Sequence, residues 1–253
     1  MRILLPPSET KSEGSLRRTL AFPDLLAPEL TPARRAIAEH LVTFCARPTA
    51  RVRNAIGTTA RQDEELARNA QLLSAPTAPA HEIYSGVLFD ALDVQSLTAA
   101  ASKRAQERVL VQSALFGVLR FGDAIPAYRL SADSTLPRIG KPSTYWKTRV
   151  GAVLDAISDD ELIVDMRSGA YSTFWKPSSD HVVVNVMQDH NGKKVAVSHF
   201  NKTTKGLLTR ELLRTAKQLT SPERVASTLA IAGFDVELMP QRNGAHRLIV
   251  TID

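Results

Sequence analysis

Four apolar runs in this chain break off at hydroxyls and bases. Arg2 to Leu5 leads into Pro6-Pro7-Ser8-Glu9-Thr10-Lys11, VLVQ (109 to 112) into Ser113, LIVDM (162 to 166) into Arg167-Ser168, and VAV (195 to 197) into Ser198-His199-Phe200-Asn201-Lys202. In open α/β sheets ligands bind in the crevice beyond the carboxyl ends of the strands, where loops vary while the sheet holds them. Four such ends therefore point to one shared site. Ser113 before ALFGVLR and Ser168 before GAYSTFW also read as helix N-caps, whose neighbouring N–H groups attract anions. For either serine alone, a structural cap is the plainer explanation.

Two further segments concentrate cations. NKTTKGLLTR (201 to 210) sets Lys202 and Lys205 three apart at a predicted helix start, followed by Gly206 and Arg210. Cations there oppose the helix dipole and cost stability unless something negative binds. A desolvated lysine among cations can also act as nucleophile or base. SALFGVLRFGDAIPAYRL (113 to 130) combines Arg120, Asp123, Tyr128 and Arg129. Arginine grips phosphate or carboxylate bidentately and tyrosine stacks or hydrogen-bonds. Arg120 reads as the partner of Asp123 in a loop-pinning pair, and Arg129 as the better ligand group.

Other signatures are weak. Ser8-Glu9-Thr10-Lys11 lacks the glycines whose N–H groups wrap phosphate in a P-loop, and no GxSxG, HExxH, EF-hand or GxGxxG sequence occurs. His181, His190 and His199 are nine apart with an Asn-Gly turn between them, and no metal or cofactor is assigned. Cys45, the single cysteine, sits beside Phe44 on an apolar helix face and reads as a packed thiol.

The elements that must position these groups alternate. Helices are predicted over 31 to 45, 61 to 73, 97 to 107, 143 to 157, 203 to 219 and 222 to 232, the first opened by Thr-Pro. Strands are predicted over 2 to 5, 109 to 112, 162 to 166, 181 to 187, 194 to 198, 235 to 239 and 248 to 252, with Asn191-Gly192 as a hairpin turn. The proline-rich stretch 72 to 82 reads as a loop between a helical run and YSGVLFDAL. The class is α/β or mixed α+β: one domain over 1 to 253, with a mixed central sheet flanked by helices.

The chain of 253 residues carries 32 Lys and Arg against 26 Asp and Glu, a net charge of +6. The sign is segregated: residues 101 to 150 hold nine cations and three acids, and 191 to 220 seven and one, while 151 to 190 hold two and seven. If the basic stretches meet in space, their surface attracts phosphates. No apolar stretch approaches the ~20 residues of a membrane span. The start, MRILLPPSETK, is too short in apolar residues for a secretory signal, and a single cysteine fits a reducing compartment, so the expectation is cytoplasmic.

Taken together, LLPPSETK, IYSGVLFDAL (83 to 92), QSALFGVLRFGDAIPAYRL (112 to 130), VDMRSGAYSTFW (164 to 175) and SHFNKTTKGLLTR (198 to 210) resemble, in order and spacing, the YaaA family of peroxide-stress proteins, in its actinobacterial form. The resemblance spans nearly the whole chain. It implies one α/β domain of unusual fold, a positively charged cleft, and binding of intact or distorted duplex DNA through a helix-hairpin-helix-like element. It also implies a role in surviving peroxide, linked to limiting iron. By position, Tyr84 and Gly86 match the family's Tyr-x-Gly, and Ser113, Gly117, Arg120, Asp123, Pro126, Tyr128 and Arg129 its central motif. Ser168 and Tyr171 match its Ser-x-x-Tyr, and Lys202, Gly206 and Arg210 its lysine motif. The chain departs from many members at Phe116, where they have Tyr, and at Lys205, where they have Arg. The common Ser-Pro-Ala-Lys-Thr loop is replaced by one that displaces its lysine to Lys11.

Two functions follow. In the first, the protein binds duplex DNA, with Arg120, Arg129, Lys202, Lys205 and Arg210 on phosphates, Ser113 in the same anion site, and Tyr84, Tyr128 or Tyr171 touching bases. In the second, it is an enzyme on a phosphate-bearing or nucleobase-like small molecule or a DNA lesion, with Lys202, Ser168 and Tyr171 catalytic and Arg129 clamping the anion. An open groove favours the first and a small closed pocket the second.

Overall fold

The computed structural model describes the chain apart from Asp160, Ser168, Asn191, Gly192, Val197, Ser198, Asn243 and Asp253, and apart from the side chains of residues 189, 190, 193 to 196, 199 and 200. Among the described residues ten strands are formed: β1 (Arg2–Leu5), β2 (Thr77–Pro79), β3 (Val109–Ser113), β4 (Gly117–Arg120), β5 (Ala124–Pro126), β6 (Ile163–Asp165), β7 (His181–His190), β8 (Lys193–Ala196), β9 (Asp235–Pro240) and β10 (Ala245–Ile252). Eight make one sheet in the order β4-β3-β1-β6-β7-β10-β9, with β8 paired to β7. The inner strands β3, β1, β6, β7 and β10 run parallel, and β4, β8 and β9 are antiparallel to their neighbours. The class is mixed α/β, as the alternation predicts.

Ile3, Leu4, Leu5, Val109, Val111, Ile163 and Val164 are fully buried. Continuous apolar runs of this kind suit strands covered on both faces. β1 lies at the sheet's centre, with β3 on one side and β6 on the other. The order of winding therefore reverses at β1, and a crevice opens beyond its carboxyl end. β8 pairs back along β7 from His190↔Lys193 to Ala196↔Met187, while β6 pairs with β7 at residues 181 to 183. Its chain returns toward the carboxyl end of β6, where the helix His199–Arg214 begins.

Several elements differ from the sequence reading. The stretch 72 to 82 contains β2, paired antiparallel with β5, because extended Thr77 and Ala78 are buried and need ladder partners. Apolar residues before and after it belong to one core. Ser113 caps no helix. Its Oγ accepts from the N–H groups of Leu115 (3.2 Å) and Phe116 (3.0 Å), closing a turn into β4. Gly117, at φ +78°, makes that turn, and a Cβ there would lie 2.8 Å from the Trp146 ring. The turn is held from below by Arg34, fully buried, which donates to the carbonyls of Phe116, Val118 and Ala27. The predicted helix over 143 to 157 is two helices, Pro142–Lys147 and Gly151–Ile157. That over 203 to 219 starts earlier and ends at Arg214. Ala50–Ile56, Ala80–Ile83, Val87–Leu92 and Gly169–Ser172 are helices too short for the 3.6-residue period to show. Cys45 is buried, and burial raises its thiol to about 11, a packed and unreactive state.

Candidate functional site

A cavity of about 400 Å³ opens at the carboxyl end of β1. One wall is Pro6 to Thr10, which follows β1; Met166 follows β6. Arg129 and Leu130 enter from the segment after β5, and Asn201, Lys202 and Lys205 from the first turns of helix His199–Arg214. Ser85 to Phe89 and Tyr171 complete the lining. Gly86, at φ +103°, turns the chain into helix Val87–Leu92 in a conformation other residues rarely adopt. Gly206 lets that helix meet His199–Arg214: a Cβ on it would lie 2.3 Å from the Leu88 carbonyl oxygen.

Of the predicted site residues, Arg129, Lys202, Lys205 and Tyr171 line this cavity. Lys202 is exposed at its mouth, whereas Lys205 is 6% exposed and donates to the Arg167 carbonyl at 3.3 Å. Burial lowers the Lys205 amine to about 8, with Asp165 opposing the shift. Tyr171 is buried, and loss of solvent raises its phenol well above the ordinary range.

Tyr84, Tyr128 and Ser113 lie under the lining rather than in it. The Tyr84 and Tyr128 hydroxyls are 2.9 Å apart, and that of Tyr128 is 2.8 Å from Ser113 Oγ. All three residues are at most 1% exposed, and burial raises both phenols. They form a closed chain of neutral hydroxyls.

Arg120 and Arg210 stand elsewhere. Arg120 holds Asp123 at 2.8 Å and the Asp24 carbonyl at 2.7 Å, the pinning pair expected from sequence. Asp123 also accepts from Leu26 N. Arg210 donates to the carbonyls of Leu92 and Asp93 and to Ser96 Oγ, tying down the end of helix Val87–Leu92. Ser168 lies outside the described residues.

Three further contributors stand beside the predicted site residues. Asn69, fully buried, clamps the Arg129 backbone on both sides, Oδ1 accepting from its N–H (2.8 Å) and Nδ2 donating to its carbonyl (2.7 Å). Asp165 and Arg167 form a buried pair at 2.7 Å, and Arg167 also reaches Gln112 Oε1 and the Trp175 carbonyl. Burial alone would raise the Asp165 carboxyl, but the Arg167 hydrogen bonds and charge outweigh it and hold the group low. Lys11 is the third. Its amine sits 4.3 Å from the Tyr128 ring centroid and 5.6 Å from that of Tyr84. Only its spacing from a hydroxyl-bearing loop was readable, and that loop has no P-loop glycines.

The cavity thus pairs apolar walls from Pro6, Leu88, Phe89, Leu130 and Met166 with cations at one side. Two buried polar atoms of the lining, Arg129 Nε and Asn201 Oδ1, have no hydrogen-bond partner among the described residues. An apolar pocket with a few convergent polar groups is what binds a small ligand. Fold and site together define an α/β protein with an anion-suited cavity at the switch point of a parallel sheet. The chain belongs to the YaaA family of peroxide stress proteins, whose model matches residues 1 to 238. A UPF0246 protein of Corynebacterium efficiens is 41% identical over 99% of this chain and 100% of its own length. One from Streptomyces coelicolor is 40% identical, covering 94% and 92%. An uncharacterized protein of Campylobacter jejuni is 27% identical over 82% of each chain. Among the described residues, no helix is long and apolar enough to cross a membrane.

Proposed function

We propose that this peroxide stress protein binds a nucleotide-sized anionic ligand in the cavity at its strand ends and acts on it. The ligand is a phosphate-bearing or nucleobase-like compound, either free or as a nucleotide turned out of DNA. One observation supports this above the others. Arg129, Lys202 and Lys205 meet around a cavity of about 400 Å³, while Arg120 and Arg210 are occupied in structural contacts. A duplex whose major groove alone is about 12 Å wide does not enter such a space, but one unstacked nucleotide does. In this reading Arg129 and Lys202 neutralise the anion, and apolar walls take the flat ring. Lys205, buried and with its amine lowered to about 8, exchanges protons with the reacting group.

Duplex binding through the backbone is a second reading, favoured by a separate surface. Arg47 and Arg51 are exposed where helices Thr31–Cys45 and Ala50–Ile56 meet, with Gly57 at φ +81° ending the second. Such a corner suits phosphate contacts without base readout. Titrating adenosine monophosphate and a fluorescent duplex, intact or bulged, against wild type and a Lys202→Ala, Lys205→Ala double variant tests both. The cavity reading expects mononucleotide binding that the variant loses. A steep salt slope for duplex that the variant leaves unchanged, without mononucleotide binding, would overturn it in favour of the open surface at Arg47 and Arg51.

A further inference from the structure

Lys11 is a half-buried amine to which the readings above give no task. Backbone pairing sets it opposite Tyr84, and its side chain turns inward over the Tyr128 ring. Its Nζ donates to the Ser8 carbonyl at 2.9 Å and the Glu9 carbonyl at 3.3 Å. Both of those residues line the cavity, so the amine lies one hydrogen bond behind its wall. Among the described residues no carboxylate pairs with it, and Glu9 is paired to Arg129 instead.

The stoichiometry of these contacts fits a neutral amine. An uncharged lysine has two N–H donors and one lone pair, and two carbonyls satisfy the donors and leave the lone pair free. The protonated form has a third N–H, for which the Tyr128 face offers a weaker partner. Charged and titratable neighbours act in both directions. Arg129 and Arg68 disfavour the ammonium, Glu9 and Glu65 favour it, and the Tyr84 and Tyr128 phenols stay neutral. Burial is the largest influence, and the amine is lowered to about 7.

We propose that Lys11 is a catalytic residue of this cavity, the amine that attacks the carbonyl carbon of a phosphate-bearing aldehyde or ketone whose anion is held by Arg129 and Lys202. This rests on the cavity reading and adds the electrophile to it. The nitrogen lone pair forms a C–N bond to the carbonyl carbon. The carbonyl oxygen takes up two protons, one from the amine and one from the medium, and leaves as water. The product is a protonated imine, whose positive charge the Tyr128 ring faces. A carbonyl carbon is exposed in ring-opened sugar phosphates, including the abasic sugar of damaged DNA. An imine at that carbon activates its neighbours for bond cleavage. The Ser8–Thr10 turn must shift to bring the amine through the wall, and Arg129 bound to Glu9 is the latch on that turn. An anion that takes Arg129 releases it.

The experiment uses pyridoxal 5′-phosphate, an anionic aldehyde, with borohydride reduction and peptide mass mapping of the full chain. Lys11 is expected to be labelled at least tenfold faster than Lys202 or Lys103, with a pH midpoint near about 7, and the label to be suppressed by adenosine monophosphate. Lys11→Arg, which has no nucleophilic amine, should lose that adduct. Labelling spread over exposed lysines with Lys11 unmodified overturns the proposal. If mononucleotide binding persists and falls in Arg129→Gln, the cavity reading survives that result; if it is absent, both fall. An abasic-site oligonucleotide and a free sugar phosphate, run in parallel, distinguish the two sources of carbonyl.

Discussion

Arg129 Nη2 lies 2.5 Å from Glu9 Oε2, and Arg129 Nη1 lies 3.4 Å from the Glu9 carbonyl. Both residues line the cavity, so its strongest anion-binding group is occupied by a carboxylate of the same chain. Glu9 is 57% exposed at its side chain and stands where a ligand's anion would.

Removing that carboxylate should therefore improve binding. An exposed ion pair contributes about 0.2 to 1 kcal/mol, so Glu9→Gln is expected to tighten mononucleotide binding by up to about fivefold. Calorimetric titration reads this directly. Weaker binding would mean that Glu9 contacts the ligand favourably.

Asn69 is expected to act on binding through the Arg129 backbone. Asn69→Ala leaves a buried N–H and C=O of Arg129 unsatisfied, at a cost of about 1 to 3 kcal/mol each way the bond is lost. Denaturant unfolding should show that loss. Ligand affinity should fall too, although Asn69 is not among the residues lining the cavity.

Asp165 and Arg167 hold the end of β6 against β3 and the segment that follows. Asp165→Asn strips Arg167 of its counter-charge in a buried setting, and about 3 to 5 kcal/mol of stability should go with it. The same pair sets an acid limit. Because the Asp165 carboxyl is held below its unfolded value, its contribution is present above that value and is lost as pH falls through the folded one. A urea midpoint flat in pH down through that range would contradict the assignment.

The two amines with lowered pKa give opposite trends in binding and stability. Lys11 is lowered to about 7 and Lys205 to about 8, from an ordinary 10.5. As pH rises through 7 to 8 the cavity loses positive charge, and anion affinity should fall. Over the interval up to 10.5 the unfolded chain holds protons the native chain does not, so stability should rise with pH. Parallel melting and binding series from pH 6 to 10 check both signs, and Lys205→Met should remove part of each.

Much of this arrangement was legible in the residues themselves. The runs ending at Leu5, Gln112 and Met166 belong to β1, β3 and β6, which are parallel, so those three ends lie at one edge of the sheet; the fourth run ends at Val197, outside the described residues. The Arg120–Asp123 pair and the packed Cys45 followed from spacing and helix face. Spacing could not separate Lys202 from Lys205. The first is exposed and the second buried, and that depends on a helix that starts four residues earlier than its apolar pattern shows. Nor could sequence place Lys11, whose environment is made by Tyr84 and Tyr128, 73 and 117 residues away along the chain. Ser113 was mistaken for a helix cap because a hydroxyl before a small residue closes a turn in the same way.

A crystal structure with adenosine monophosphate bound tests the central claim most directly. The phosphate should lie within hydrogen-bonding distance of Arg129 and Lys202, the base against Leu88, Phe89 and Leu130, and Glu9 should be displaced from Arg129. Nucleotide found only at the Arg47 and Arg51 corner, with the Glu9–Arg129 pair intact and the cavity unchanged, would contradict the account and make the open basic surface the functional one.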